Sequence, residues 1–77
     1  MLQIRYEIFA RELSVREVAR LAHLTPETIS RIIHGHLRPG FGPGQSAERI
    51  AAAVDWDGDL QELFAETEGG DNERVSA

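Results

Sequence analysis

The chain has 77 residues, a length that corresponds to one small domain. It contains no cysteine, which excludes disulfides and cysteine-based zinc sites. The N-terminus has no apolar run long enough for a signal peptide or a transmembrane helix. We therefore expect a cytoplasmic protein that has no membrane partner.

The formal net charge is −5, and the acidic residues are concentrated towards the C-terminus. Residues 1–50 hold seven Arg against five Glu, a balance of +2, whereas residues 51–77 hold one Arg against eight acids, a balance of −7. For a polyanionic partner such as nucleic acid, the local field matters more than the total charge. The first fifty residues are only weakly suited to such a partner.

Residues 2–12 fit two patterns of secondary structure. Leu2, Tyr6, Phe9 and Leu13 share one helical face, whereas Leu2, Ile4, Tyr6 and Ile8 alternate as in a strand. The composition of residues 10–13 favours a helix, and no turn signal begins a hairpin. We predict a helix, with a short N-terminal strand as the alternative.

A second helix is predicted to begin at Ser14. The spacing Ser14-x-x-Glu17 is that of a capping box, in which each side chain bonds the backbone N–H of the other residue. The helix then divides into two faces. The inward positions are Val15, Val18, Ala19 and Ala22, and the outward ones are Arg16, Glu17 and Arg20.

A third helix is predicted over residues 25–34, because both of its ends are marked in the sequence. Thr25 is suited to be the N-cap, Pro26 to be the first helical residue, and Gly35 to end the helix in the left-handed conformation. Its apolar stripe is Ile29, Ile32 and Ile33, and its opposite face carries Glu27, Ser30, Arg31 and His34. Because only two residues separate it from the second helix, the pair is interpreted as a helix-turn-helix.

The rest of the chain is read as a loop, two helices and a tail. Glycine and proline make residues 36–45 a loop, with Leu37 or Phe41 covered by the core. Ser46 is expected to cap a helix whose inward residues are Ile50 and Val54. After a break at residues 55–58, a last helix begins near Asp57 or Asp59 and carries Leu60, Leu63 and Phe64. We define a domain at residues 1–67 and expect residues 68–77 to be an acidic, disordered tail.

From Leu13 to Pro39 the chain resembles the Cro/phage-repressor (XRE-type) helix-turn-helix family. The residues that carry the resemblance are Leu13-Ser14, Val18-Ala19, Leu24-Thr25, Thr28-Ile29-Ser30-Arg31-Ile32, Gly35 and Pro39, with residues 50–54, Leu60 and Leu63-Phe64 similar to the last two helices of that family. His23 replaces the usual glycine of the turn, Val15 stands where many members have a phosphate-contacting glutamine, and the glycine/proline loop is longer than usual. The resemblance implies an all-α, lambda-repressor-like bundle of five helices.

The resemblance also implies a sequence-specific regulator of transcription, Cro-like or a minimal repressor. It would bind double-stranded DNA as a homodimer on a two-fold operator, with the third helix in the major groove. The residues mapped to base edges are Pro26, Glu27, Ser30, Arg31 and His34. Those mapped to phosphates are Ser14, Arg16, Thr25, Thr28 and Arg38.

Several of these residues have simpler interpretations. Arg31 can form an i,i+4 salt bridge with Glu27, and Glu27 can stabilise the positive end of the helix dipole. Arg38 can belong to an ordinary surface loop. A larger apolar group is expected to pair in part with a second subunit or, alternatively, to cover the core of one chain: Trp56, Leu60, Leu63 and Phe64.

Other classes of function have less support in the sequence. His34 and His36 invite a metal-site hypothesis, but no cysteine or neighbouring carboxylate completes a ligand set. No nucleophile–base pair or phosphate-binding glycine motif indicates an enzyme, and we expect no cofactor or small-molecule ligand. Two alternatives remain. One is an excisionase- or MerR-like winged helix-turn-helix, and the other is a protein-interaction module such as an antitoxin or anti-repressor.

Overall fold

Five helices make up the fold in the computed structural model, which describes residues 1–66. Their bounds are α1 Gln3–Ala10, α2 Val15–Ala22, α3 Pro26–Ile33, α4 Ser46–Ala53 and α5 Leu60–Leu63. Residues 1–66 contain no strand, and their only ladder contact is an isolated antiparallel bridge between Leu2 and Glu66. The prediction of a small all-α domain with five helices is confirmed. The predicted disordered tail, residues 68–77, lies outside the described residues.

Helix α1 forms where a helix was preferred over a strand, but a different face of it is buried. Ile4 and Ile8, one helical turn apart, lie in the core. Tyr6 and Phe9 point outward and are 53% and 80% exposed. The expected stripe of Leu2, Tyr6, Phe9 and Leu13 therefore does not form the buried face, although Leu2 and Leu13 are partly buried at its ends.

Helices α2 and α3 begin with the caps expected from the sequence. The Ser14 hydroxyl accepts from the Glu17 N–H at 3.1 Å, and the Glu17 carboxylate accepts from the Ser14 N–H at 3.0 Å. The Thr25 hydroxyl accepts from the Thr28 N–H at 3.1 Å, and Pro26 is the first residue of α3. Gly35, just after α3, has φ +81°, the left-handed conformation predicted for it.

Helix α4 does not use Ser46 as its cap. Gln45 occupies the N-cap position and makes no side-chain capping bond there, and Ser46 is the first helical residue. The Ser46 hydroxyl instead accepts from the Gly40 N–H at 2.9 Å, because the glycine/proline loop folds back onto the start of α4. Helix α5 begins at the second of its two predicted sites, where the Asp59 carboxylate accepts from the Gln61 N–H at 2.9 Å.

The core lies around α2, which packs against both α3 and α4. Helix α5 closes the bundle by contacting α4 and α1. The fully or nearly fully buried apolar residues are Ile4, Ile8, Val18, Ala19, Ala22, Ile29, Ile32, Ile33, Ala47, Ile50, Ala51, Val54 and Leu63.

The apolar residues near the C-terminal end of the domain are covered within one chain. Leu63 is completely buried, and the other three members of the predicted dimer-or-core group pack against the core as partly buried residues: Trp56, Leu60 and Phe64. The Trp56 indole N–H also donates to the Asp59 carbonyl at 3.1 Å. These contacts within one chain fit both predicted roles, because the partly buried residues keep some surface for a second subunit, and a homodimer stays a prediction.

The segment after α3 decides against the winged helix-turn-helix alternative. A winged helix-turn-helix requires a β-hairpin after its second helix, but residues 36–45 are an irregular loop and α4 and α5 follow. The winged interpretation is therefore wrong for the described part of the chain.

The longest helices in residues 1–66 have eight residues and are about 12 Å long. None of the helices in this range has the length and apolarity needed to cross a membrane.

Candidate nucleic-acid interface

The turn between α2 and α3 is three residues long and contains one residue in the left-handed backbone conformation. His23 has φ 61° and ψ 43°, so it adopts the conformation for which glycine is usually selected. The Leu24 N–H then donates to the Ala19 carbonyl at 2.9 Å, and the Thr25 cap begins α3. The histidine therefore takes the strained position itself, and the turn is not displaced along the chain.

Arg49 on α4 donates two hydrogen bonds to the backbone of this turn and of the end of α2. Its Nε donates to the Ala22 carbonyl at 2.9 Å, and its Nη2 donates to the His23 carbonyl at 2.9 Å. These carbonyls lie at the end of α2, where no following turn of helix supplies N–H donors. The sequence analysis counted Arg49 only as a charge. No local pattern reveals the contact, because the bonds span 27 and 26 residues.

The outer face of α3 presents most of the predicted base-contacting residues to solvent. Pro26, Glu27 and Arg31 are exposed, and His34 is exposed at the C-cap. Ser30 is half-buried, which places it at the edge of the face.

Glu27 and Arg31 form a salt bridge along the outer face of α3. The Arg31 Nη2 donates to Glu27 Oε2 at 2.8 Å, and the two side chains remain 60% and 74% exposed respectively. The i,i+4 pairing considered from the sequence therefore exists. It leaves the other guanidinium N–H groups of Arg31 and the second carboxylate oxygen of Glu27 without a partner among residues 1–66.

The predicted phosphate-contacting hydroxyls act as helix caps. Ser14 caps α2, and Thr25 caps α3 while also donating to the Thr28 hydroxyl at 2.8 Å. Each of the two caps is exposed at a helix N-terminus, where unpaired N–H groups and the helix dipole favour an anion. Thr28 is half-buried.

Arg16 and Arg20 supply positive charge beside the start of α3. Both are exposed on α2, and they line a groove together with Glu17, Ala19, Leu24 and Pro26. Neither arginine forms an ion pair with another residue of the described range. The sequence analysis identified Arg20 only as an outward residue. Because Arg20 lines the same groove as Arg16, it is a further candidate for a phosphate contact.

Arg38 belongs to a separate part of the surface. Its guanidinium lies over the Phe41 ring, 5.3 Å from the ring centroid, and Phe41 meets Phe64 edge-on at a centroid distance of 5.8 Å. It lines a groove with Ile32 and Gly35, at the C-terminal end of α3. The structure therefore brings Arg16 and Arg20 together near the start of α3 and holds Arg38 near its end. Of the two loop residues, Phe41 is the one that packs inward, since Leu37 is exposed.

The histidines do not converge on a metal site in the described part of the chain. The His34 and His36 rings lie 6.4 Å apart, centroid to centroid, in an edge-to-face arrangement. Residues 1–66 contain no group of three or more His, Cys, Asp or Glu side chains arranged to hold a metal ion.

Comparisons of the chain with protein-family models, curated proteins and solved structures found no match. The interpretation of this surface therefore depends on the geometry of α2 and α3 and on the chemistry of their exposed side chains.

Proposed function

We propose that the chain is a sequence-specific DNA-binding regulator of the Cro-like or minimal-repressor type, in which α2 and α3 act as a helix-turn-helix. The observation that carries the proposal is the presentation of α3. This helix buries one apolar stripe, is fixed at both ends by Thr25 and Gly35, and exposes Glu27 and Arg31 on its outer face. An α-helix held in this way has the width that the major groove of B-DNA admits.

The roles of α2 and α3 in this proposal are different. The exposed guanidinium groups of Arg16 and Arg20, with the capped N-termini at Ser14 and Thr25, are suited to phosphate oxygens. Such contacts position a protein on the duplex without reading its sequence. Arg38, held over Phe41 at the other end of α3, is suited to the same task.

Sequence is read in this proposal by the Glu27–Arg31 pair. Arginine can donate two bonds to O6 and N7 of guanine, and glutamate can accept from N4 of cytosine. The salt bridge restrains Arg31 before DNA arrives and reduces the side-chain freedom that it loses on binding. Pro26, beside the pair, can contact a thymine methyl group, while Ser30 and His34 lie at the margins of the contact surface.

The experiment that tests the proposal begins with selection of bound sequences from random double-stranded DNA. Binding of the selected site and of a scrambled site is then measured for Arg31→Ala, Arg38→Ala and Arg11→Ala. We expect Arg31→Ala to lose about 1–3 kcal/mol on the selected site and to relax the base preference at one position per half-site. Arg38→Ala should weaken both sites by the same factor.

Arg11→Ala is the matched control, because it removes the same charge from the turn after α1, where Arg11 pairs with Glu7. We expect only a small and equal change on the two DNA sites. If selection recovers no preferred sequence, or if Arg31→Ala weakens the selected and scrambled sites equally, base recognition by α3 is refuted.

A protein-interaction module is the second candidate, and the exposed aromatic residues of α1 favour it. Tyr6 and Phe9 project from the domain, and the chain as a whole carries a net charge of −5. An antitoxin or anti-repressor that kept this fold and lost operator binding would show no preference among DNA sequences, so the selection experiment separates the two candidates.

A further inference from the structure

The most exposed large hydrophobic side chain in residues 1–66 lies on α1. Phe9 is 80% exposed, and Tyr6, three residues earlier, is 53% exposed. Ala10 completes the same outward face, while Ile4 and Ile8 face the core. A fully buried aromatic side chain removes about 150–250 Å² from water, so the two rings expose roughly 250 Å² in total. This area is within the range that monomeric proteins expose, so the evidence for an interaction lies in the charges that flank the two rings.

Two oppositely charged residues flank this aromatic face. Arg5 lies one helical turn before Phe9 and is exposed, with no ion pair to any residue in 1–66. Glu12 lies just beyond the end of α1, where its N–H donates to the Phe9 carbonyl at 3.0 Å, and it too is exposed without an ion pair in that range. The order along the face is therefore positive charge, aromatic ring, negative charge.

We propose that this face binds the same face of a second copy of the chain, with the two α1 helices antiparallel about a two-fold axis near residues 8 and 9. An interface of this symmetry places each residue opposite its counterpart on the other side of the axis. Arg5 and Glu12 are equally distant from that axis along the sequence, with Arg5 on α1 and Glu12 in the turn that follows it. Each Arg5 then meets the Glu12 of the other copy, and the two Phe9 rings meet at the axis.

The charge pattern selects a second copy of this chain over an unrelated partner. The face carries one positive and one negative charge in the order that antiparallel pairing requires, so it is complementary to itself. A parallel arrangement would instead set Arg5 against Arg5 and Glu12 against Glu12, which is repulsive.

The size of the face predicts a weak dimer. A standard interface buries about 800 Å² on each partner, and the two rings provide roughly a third of that area. The flanking side chains extend the contact, but the total stays at the low end of known interfaces. Association should therefore depend on concentration in the micromolar range or above.

The test is sedimentation of the full chain without DNA, over roughly 1 µM to 1 mM. This readout does not depend on the proposed function, so the two proposals succeed or fail separately. We expect a monomer–dimer equilibrium whose dissociation constant rises about tenfold or more in Phe9→Glu. The control Leu21→Glu introduces the same charge at a half-exposed apolar position of α2 and should leave the equilibrium unchanged.

A charge reversal tests the antiparallel pairing itself. Arg5→Glu should weaken the dimer by opposing two carboxylates, and Arg5→Glu combined with Glu12→Arg should restore it by exchanging the partners. Circular dichroism melting identifies any variant that fails to fold. A chain that is monomeric throughout the range, a Phe9→Glu dimer as strong as the original, or a double reversal no stronger than Arg5→Glu would each overturn the proposal.

Discussion

Arg49 donates a hydrogen bond to the backbone of His23. The guanidinium Nη2 of this α4 residue donates to the His23 carbonyl at 2.9 Å, at the residue whose left-handed conformation turns the chain from α2 into α3. The Nε of the same guanidinium donates a second hydrogen bond to the Ala22 carbonyl, so one side chain binds two neighbouring carbonyls. The angle at which α3 leaves α2 is therefore fixed by a residue that is distant in sequence and lies outside both helices.

The first prediction concerns this contact. Arg49→Ala removes both bonds from the end of α2 and should lower the free energy of unfolding by about 1–3 kcal/mol. Arg49→Lys should recover only part of the loss, because an ammonium group lacks the planar fork that reaches two carbonyls. Urea unfolding measures the effect. Arg11→Ala breaks one i,i+4 pair at the end of α1 and leaves the Glu7 carboxylate its bond from Gln3, so it should change stability by less than about 1 kcal/mol. An equal change in the two alanine variants would contradict the role of Arg49.

The second prediction concerns the two left-handed residues around α3. Gly35 has φ +81°, and a Cβ atom added there meets nothing within 4 Å. Gly35→Ala should therefore lower stability by about 1 kcal/mol through backbone strain alone. His23→Gly should have the opposite sign, a gain of about 0.5 kcal/mol, because strain relief exceeds the added freedom of the unfolded chain. Thermal unfolding of the two variants side by side tests this, and changes of equal sign would refute it.

The third prediction concerns the dependence of DNA binding on salt. Arg16, Arg20 and Arg38 are the arginines placed near phosphates in the proposed complex, which gives six cationic contacts in a dimer. The logarithm of the binding constant should fall with the logarithm of salt concentration with a slope of about −5. Arg16→Ala in each subunit should reduce the magnitude of that slope by about 2. A flat response, or a slope unchanged by Arg16→Ala, would remove these phosphate assignments.

The fourth prediction concerns the acidic C-terminal residues. Residues 68–77 contain three acids and one Arg, so their deletion changes the net charge from −5 to −3. The buried core lies between Ile4 and Leu63, and we therefore expect the shortened chain to fold and to dimerise as before. Its affinity for DNA should be unchanged or modestly higher at low salt, where repulsion is screened least. A shortened chain that unfolds would show that these residues are structural.

The ends of α2 and α3 could be predicted because they are encoded locally. Ser14 with Glu17, and Thr25 with Pro26, satisfy the first amides of their own helices and need no distant partner. The same holds for Gly35, whose conformation follows from the end of α3. The exposed positions of Glu27 and Arg31 followed from the periodicity of Ile29, Ile32 and Ile33, which mark the opposite face of α3.

The buried face of α1 could not be predicted, because apolar residues surround that short helix. Tyr6 and Phe9 are as apolar as Ile4 and Ile8 in a pattern count, and the choice between the faces is made by packing against α5. For a related reason, Ser46 was wrongly predicted to be the N-cap of α4, and the hydrogen bonds of Arg49 were not predicted. Their partners, the Gly40 N–H and the carbonyls of Ala22 and His23, are brought to them only when the chain folds.

The bridge between Leu2 and Glu66 makes the described backbone almost a closed ring. The Gln3 N–H donates to the Ala65 carbonyl at 2.9 Å, and the Met1 ammonium lies 2.9 Å from the Glu66 carboxylate. A linker of about two or three residues between Glu66 and Met1 would therefore close the ring, whereas a direct bond would leave only Met1 between the two bridged residues. Head-to-tail cyclisation through such a linker would restrict the unfolded chain by about 4 kcal/mol in the loop-entropy model. The domain is thus suited to backbone circularisation as a route to greater stability.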